Sequence, residues 1–213
     1  MTEKAALSEG IGTDGPSGRA SFDAVLGARR AELLARFAQI FPVPRRIVWE
    51  IGCGHGHFLT AFARAHPEKI CIGIDIASDR IERATRKRDR AALPNLHFLR
   101  GDARLFLAAL PEPTKLESVF ILFPDPWPKL RHHKHRIMQP DFLVQLASKV
   151  EEGGRVFFRT DDEPYFNETY ALIARDPGWV IVEEQWKFEC ETVFQSRATK
   201  FYSLVVRPRS RAL

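Results

Sequence analysis

Short apolar runs alternate along this chain with longer stretches in which apolar residues recur every three or four positions. The short runs are typical of buried β-strands, and the longer stretches have the period of amphipathic helices. The pattern predicts helices over residues 22–41, 57–66, 78–92, 103–110, 139–149 and 163–175. It predicts strands near residues 46–51, 70–75, 95–101, 118–123, 155–160, 179–182 and 201–206. This order indicates an α/β domain with a mostly parallel sheet of seven strands, of which the last two form a hairpin-like pair.

The fourth predicted strand runs into an unusual turn, Phe123-Pro124-Asp125-Pro126-Trp127-Pro128-Lys129. Its three prolines fix φ and lack a backbone donor, so the turn is stiff and holds Asp125 and Trp127 in set directions. A carboxylate here can accept hydrogen bonds from the N1–H and N2–H₂ edge of guanine, and an indole can cover a flat ring. The cations that follow can hold phosphate. A rigid loop with a packed tryptophan explains the turn alone about equally well, so the rest of the chain has to decide.

The first strand leads into a glycine-rich turn, Glu50-Ile51-Gly52-Cys53-Gly54-His55-Gly56, and a second strand ends in Asp75. Such a βαβ unit binds a nucleotide-like ligand at its first turn, and the acid after the second strand reaches ribose hydroxyls. His57 stands where the fingerprint of NAD-binding turns has its last glycine. Glu50 favours a ligand with cationic groups, and S-adenosylmethionine carries an ammonium and a sulfonium. We therefore expect S-adenosylmethionine rather than NAD.

Acidic residues lie at the carboxyl ends of four successive predicted strands: Glu50, Asp75, Asp102 and Asp125. Each of them alone is more often a helix cap or a solvated loop residue. Ligands of open α/β sheets bind outside the carboxyl ends of the strands, where these four residues should meet. Asp102 could accept a hydrogen bond from an adenine amino group there. Four acids at equivalent positions make one common site the better explanation.

Composition agrees with an acidic pocket in a basic protein. The 213 residues suffice for one α/β domain, and the formal net charge is +5, which suits a polyanionic partner. The three cysteines have no paired spacing, which favours free thiols in a reducing cytoplasm. His132, His133 and His135 invite a metal hypothesis, but neither cysteines nor acids stand near them at metal-ligand spacing, so no metal is expected. No apolar span has membrane length, and no signal-peptide pattern follows Met1, so the expected location is cytoplasmic.

The motifs together resemble the bacterial-type tRNA (guanine-N7-)-methyltransferase family over residues 45–205. The resemblance rests on the glycine-rich turn, on Gly73-Ile74-Asp75, on Asp102-Ala103, and on the proline-rich turn with its tail Arg131-His132-x-Lys134. Thr160-Asp161 and Thr192-Val193-Phe194-Gln195 add to it. The glycine-rich turn is shared by many methyltransferases, whereas the proline-rich turn with its basic tail is highly specific for this family.

The resemblance implies a class I, Rossmann-like, S-adenosylmethionine-dependent methyltransferase that methylates N7 of a guanine in tRNA, at position 46 of the variable loop. Residues 1–20 are rich in Gly, Ser, Thr and Ala, so we expect them to be disordered. A single methyltransferase domain is expected over residues 21–213, as a monomer or homodimer. Residues that bind the cofactor would be Glu50, Gly52, Gly54, Gly56, Asp75, Asp102 and Asp125, of which Asp125 would also be catalytic. Residues that contact the substrate guanine would be Lys129, Asp161, Thr192, Val193, Phe194 and Gln195. Residues that hold the RNA backbone would be Arg131, His132, Lys134 and Arg136.

Three positions depart from the family pattern. Asp75 stands where many members have Glu, His135 stands where Arg is usual, and Gln195 replaces a Glu. The last change keeps an acceptor oxygen but removes a negative charge that would strengthen a hydrogen bond to guanine. Two alternatives therefore stay open, namely an S-adenosylmethionine-dependent enzyme with another substrate and a weakly active RNA-binding relative.

Overall fold

The computed structural model describes residues 18–184, 186, 188–190 and 200–210. Its six α-helices within these residues are α1 Gly18–Ile40, α2 His57–Ala65, α3 Ser78–Ala91, α4 Ala103–Ala109, α5 Pro140–Lys149 and α6 Glu163–Arg175. Its strands are β1 Arg46–Ile51, β2 Ile70–Asp75, β3 Leu96–Arg100, β4 Lys115–Leu122, β5 Val150–Thr160, β6 Trp179–Ile181 and β7 Tyr202–Pro208. A short 3-10 helix, Leu130–His135, follows the proline-rich turn. Residues 1–17 lie outside the described part of the chain, and α1 begins four residues before its predicted start.

The seven strands form one sheet in the order β3-β2-β1-β4-β5-β7-β6. Neighbours from β3 to β5 are parallel, whereas β7 runs antiparallel to both β5 and β6. The predicted seven-stranded, mostly parallel sheet with a terminal antiparallel pair is thus confirmed. The chain proceeds from β1 outward to β3 and then returns to β4 on the other side of β1. Ligands of open α/β sheets bind at such a reversal of strand order.

The strands are buried on both faces of the sheet, which explains why apolar and polar residues do not alternate along them. In β1, Ile47 and Trp49 point to the face covered by α1 and α4, where Trp49 stacks on Phe106 at 4.4 Å between ring centroids. Val48 belongs to the other core, which α2 covers, and Glu50 shares its face by the strand period of two. Burial on both faces makes the strands read as continuous apolar runs.

Strand β5 is longer than its prediction, because Gly153-Gly154 lies inside it rather than before it. Its pairing with β4 shifts register between Leu116 and Ser118, and Gly153 has φ 80°. A bulge with a left-handed glycine lets the strand continue through this irregularity, whereas a pair of glycines in a sequence reads as a turn.

Candidate active site

The glycine-rich turn between β1 and α2 depends on left-handed backbone at Gly52, Gly54 and Gly56, with φ of 68°, 52° and 67°. A Cβ at Gly56 would collide with the ring of Phe98, so this glycine is required for packing. A Cβ at Gly52 or Gly54 would meet nothing within 4 Å. The backbone of these two residues therefore borders open space at the carboxyl edge of the sheet, where a ligand can approach it closely.

Glu50 carries an unsatisfied carboxylate beside this turn. The residue is 4% exposed, and its Oε2 is buried without a hydrogen-bond partner. Burial raises the pKa of Glu50 to about 8, and the charge of Asp75 adds to the rise. A hydrogen bond from the backbone of Leu59 and the charge of Lys87 oppose it. A buried acceptor without a partner is costly, and a cationic ligand group would satisfy it.

Asp75, at the end of β2, is buried and joins that strand to the glycine-rich turn. Its Oδ2 accepts from the backbone N–H of Gly54 at 3.1 Å, and its Oδ1 accepts from Ala77 N–H at 2.9 Å. The guanidinium of Arg80 lies 3.5 Å from Oδ2. The side chain thus fixes the shape of the turn and places a carboxylate where a ribose would lie in a βαβ nucleotide site.

Asp102 follows β3 and is the N-cap of α4. Its Oδ1 accepts from the backbone N–H groups of Arg104 at 2.8 Å and of Leu105 at 3.2 Å. These bonds satisfy two of the free donors at the helix start. Within the residues that the structure describes, Oδ2 accepts no hydrogen bond, so the exposed carboxylate can cap the helix and contact a ligand at the same time.

The proline-rich turn after β4 is held in a strained conformation. Phe123 and Trp127 have φ of 50° and 45°, which is rare for bulky side chains. The N–H of Phe123 donates to the carbonyl of Arg159 at 2.7 Å, and Oδ1 of Asp125 accepts from Trp127 N–H at 3.0 Å. Asp125 itself is exposed. Strain of this kind persists where the surroundings over-determine it, as at functional sites.

The basic run after this turn divides into exposed and buried residues. Lys129, Arg131 and Lys134 are exposed, and His132 is half-buried against Trp127, with ring centroids 5.7 Å apart. These four residues share the surface on which the turn lies. Cations there are free to contact a polyanion.

Arg136, which was predicted to hold RNA backbone, is buried in the fold. The residue is 2% exposed, and its guanidinium pairs with Glu168, donates to the carbonyl of Pro126 at 2.8 Å and covers the ring of Tyr165. The geometry therefore favours a role in holding the proline-rich turn on α6 over a contact with RNA backbone.

The predicted substrate contacts are described only in part. Asp161 is exposed directly after β5, at the same edge of the sheet as the strand-end acids, and Lys129 precedes the 3-10 helix. Thr192, Val193, Phe194 and Gln195 lie outside the described residues.

Arg159 is a residue of the site region that the sequence analysis missed. This buried side chain of β5 makes a two-point ion pair with Glu189, each N–O distance being 2.8 Å, and it donates to Ser203 Oγ at 2.9 Å. It also covers the rings of Trp186 and Phe201. An arginine directly after the apolar run Val156-Phe157-Phe158 was the available signal.

Neither a metal-binding cluster nor a membrane-spanning helix is found in the described part of the chain. No group of three or more histidine, cysteine, aspartate or glutamate side chains in this part of the chain could hold a metal ion. Among the described helices, none has the length and apolar character needed to cross a membrane.

Known proteins match the chain over most of its length. A family model described as "Putative methyltransferase" matches residues 44–211. The tRNA (guanine-N(7)-)-methyltransferase of Thermotoga maritima is 36% identical over 177 residues, which cover 80% of this chain and 56% of that protein. The enzyme of the same name from Rubrobacter xylanophilus is 34% identical over 147 residues, which cover 69% of this chain and 66% of that protein. The chain thus spans between 56% and 66% of the length of these curated relatives.

A solved structure confirms the predicted class I methyltransferase fold. It is a 16S rRNA (adenine(1408)-N(1))-methyltransferase from Catenulisporales acidiphilia, with a TM-score of 0.59, 20% identity, and coverage of 84% of this chain and 93% of that chain. At this identity the likeness concerns the fold alone. The family model covers most of the chain, including every strand of the sheet, and the chain therefore belongs to this family of methyltransferases.

Proposed function

We propose that this protein transfers a methyl group from S-adenosylmethionine to N7 of a guanine in tRNA, at position 46 of the variable loop. The observation that carries the proposal is the shared edge of the sheet. There the buried, unpartnered Glu50 and the open glycine-rich turn lie next to the strained turn that presents Asp125. The names of the curated relatives support the tRNA substrate and the guanine.

The described residues fit S-adenosylmethionine. Glu50 would accept from the methionine ammonium, which supplies the missing partner of Oε2. Gly52 and Gly54 would let the backbone approach the ligand, Asp75 would accept from ribose hydroxyls, and Asp102 would accept from the adenine amino group. The bound cofactor supplies an electrophilic methyl group on a sulfonium.

Asp125 would act on the guanine rather than on the methyl group. Because N7 of guanine has a free lone pair at neutral pH, no side chain has to create the nucleophile. Catalysis would then come mostly from positioning, which can contribute about 7–11 kcal/mol. Positive charge develops on the purine as N7 is methylated. The exposed carboxylate of Asp125 would accept from N1–H and stabilise that charge, while its Oδ1 keeps the bond to Trp127 N–H.

The surrounding residues would position the RNA. Lys129, Asp161 and the segment Thr192–Gln195 would contact the guanine, and Arg131, His132 and Lys134 would hold phosphates. N7 has to be free of stacking and tertiary contacts, so the guanine must be exposed or pulled out of the RNA fold. Since tRNA is a cytoplasmic substrate, we place the activity in the cytoplasm.

Incubation with labelled S-adenosylmethionine and a tRNA transcript tests this function. The expected product is 7-methylguanosine after digestion of the tRNA, and replacement of the guanine at position 46 should remove it. Label on another nucleoside, on protein or on a small molecule would contradict the proposal. Tight tRNA binding without turnover would instead indicate a non-catalytic RNA-binding relative.

A further inference from the structure

Helix α3 carries a dense set of cations. Its fourteen residues include six basic and three acidic side chains. Four of the basic ones are exposed, namely Arg80, Arg83, Arg86 and Arg90. With about 100° between successive residues of a helix, these four lie within a stripe about 120° wide. Ala84, the buried residue of α3, lies about 100° around the helix from the centre of this stripe. The α3 stripe is therefore a surface of solvent-facing arginines.

The α3 stripe begins at the candidate active site. Its first member, Arg80, lies 3.5 Å from Asp75 Oδ2, at the carboxyl edge of the sheet. From Arg80 to Arg90 the helix rises about 15 Å, at about 1.5 Å per residue. This length corresponds to about four phosphates of one strand of a nucleic-acid duplex, which follow each other at about 3.4 Å along the axis. A duplex strand laid along the stripe would thus lead into the site.

Three arginines of the stripe, Arg83, Arg86 and Arg90, are available for another partner. Arg86 makes only a loose, exposed contact of 3.9 Å with Glu82, and such pairs contribute little. Arg83 and Arg90 make no ion pair within the described residues. Asp79 is the remaining acid near this face, and it stands in the first turn, where the helix dipole favours it. Arg88 is not part of the stripe, because Asp89 holds it at 2.6 Å.

The repeated positive charge has no visible use in the fold. Like charges three or four residues apart destabilise a helix by a few tenths of a kcal/mol per pair. Phosphates would turn this repulsion into attraction, and a duplex backbone offers them at a matching interval. The stripe is also separate from the basic run of the proline-rich turn, since α3 packs on β2 and β3 at the other side of β1.

We propose that the α3 stripe binds the phosphate backbone of a double-helical segment of the substrate RNA and guides it to the active site. This inference rests on the proposed tRNA substrate. It assigns to α3 a contact with RNA that contributes affinity and no chemistry.

The double variant Arg83→Gln/Arg90→Gln tests the proposal. A matched control is Arg46→Gln/Lys115→Gln, which also removes two charges. Arg46 and Lys115 are register partners at the amino ends of β1 and β4, the opposite end of the sheet. Binding of a tRNA transcript is measured between 50 and 200 mM salt, together with the cofactor affinity and the single-turnover rate at saturating tRNA.

Loss of two phosphate contacts should lower the slope of log K against log salt by about 1.8. Over this fourfold range of salt, the parent protein should therefore lose about tenfold more affinity than the α3 variant. The control should keep the parent slope, and cofactor affinity and single-turnover rate should not change. Equal behaviour of the two double variants would overturn the proposal, because net charge alone would then explain the result.

The experiment tests the α3 stripe and the proposed methylation activity independently of each other. A parent protein that methylates tRNA, together with an α3 variant that binds like the control, would overturn the stripe alone. A parent protein that methylates no tRNA, together with an α3 variant that has lost RNA affinity, would contradict the proposed activity and support the stripe.

Discussion

Replacing Glu50 by glutamine should remove the pH dependence of cofactor binding. Glu50 is 4% exposed, its Oε2 is unpartnered, and its pKa is raised from 4.5 to about 8, chiefly by burial. A shift of this size corresponds to a preference of about 5 kcal/mol for the neutral form. Without a ligand, about 90% of the carboxyl groups would therefore carry a proton at pH 7. A ligand ammonium pairs with the ionised form and has to displace that proton.

The size of the pH dependence follows from the protonation states of two groups, the ligand ammonium and Glu50. The α-ammonium group of the ligand must stay protonated, whereas Glu50 must be ionised. At pH 7, binding should then release about 0.9 proton. Affinity should rise about ninefold from pH 6 to pH 7 and level off above about pH 8, where Glu50 is already ionised in the free protein.

Calorimetric titration with S-adenosylhomocysteine, which keeps the amino-acid end of the cofactor, measures these quantities. Two buffers of different ionisation enthalpy give the number of protons released. Glu50→Gln should bind about 10- to 100-fold more weakly, with almost no proton release at pH 6. The matched control is Glu68→Gln, which removes an exposed carboxylate near the amino end of β2. It should behave as the parent.

The free protein offers a second readout of the same carboxyl. Because its pKa is higher in the folded than in the unfolded state, the free energy of unfolding should fall as pH rises from about 4.5 to about 8, by up to about 1.4 kcal/mol per pH unit. Glu50→Gln should lack this contribution. If the parent protein releases no proton at pH 7, or if the glutamine variant keeps the same pH profile, Glu50 is not the partner of the ammonium.

Four further substitutions test other parts of the site. Asp125→Asn keeps the Oδ1 acceptor for Trp127 N–H, so the turn should survive while the single-turnover methylation rate falls by a factor of about 10²–10³; a near-normal rate would remove Asp125 from the reaction centre. Gly54→Val places a side chain in the open space beside a φ of 52° and should abolish calorimetric cofactor binding, and unchanged affinity in a folded variant would contradict the placement of the ligand. Lys134→Ala removes an exposed charge and should lower the salt slope of tRNA binding by about 1 without a change in thermal stability. Arg136→Gln loses the buried contacts to Glu168 and Pro126, so denaturant titration should show an unfolding free energy lower by about 1–3 kcal/mol, while the salt slope of tRNA binding stays the same. A variant with parental stability but weakened tRNA binding would instead show that Arg136 contacts RNA.

The strands and most helices could be predicted because burial imposes a period on the sequence. The positions of Glu50 and Asp75 could be predicted for the same reason, since they lie at the carboxyl ends of β1 and β2, whose lengths are visible in the sequence. Their surroundings could not be predicted. The unpartnered Oε2 of Glu50 and the bond from Gly54 N–H to Asp75 are properties of tertiary packing.

Arg136 and Arg159 show where sequence reasoning fails for charged residues. Arg136 belongs to a visibly basic run, yet it is buried because Glu168 of α6 and the carbonyl of Pro126 receive it. Arg159 stands inside a strand, and its partner Glu189 is thirty residues away in sequence. A long arginine side chain can reach partners that are distant in sequence and come near only in the fold. A run of basic residues in the sequence therefore does not show which of them are exposed and which are buried in ion pairs. The predicted start of β5 is wrong for a similar reason, because a bulge at Gly153-Gly154 within the strand has the same sequence pattern as a turn.

The most direct test of the central claim is the identity of the nucleoside that this protein methylates. A tRNA transcript is incubated with S-adenosylmethionine and the parent protein, Asp125→Asn or Gly54→Val, then digested and analysed by mass spectrometry against standards of each methylguanosine isomer. The parent should form 7-methylguanosine, Asp125→Asn about 10²–10³ times more slowly, and Gly54→Val none. A product methylated at N1 or N2, or equal rates for the parent and Asp125→Asn, would contradict a site in which Asp125 holds the N1–H edge and leaves N7 facing the methyl group.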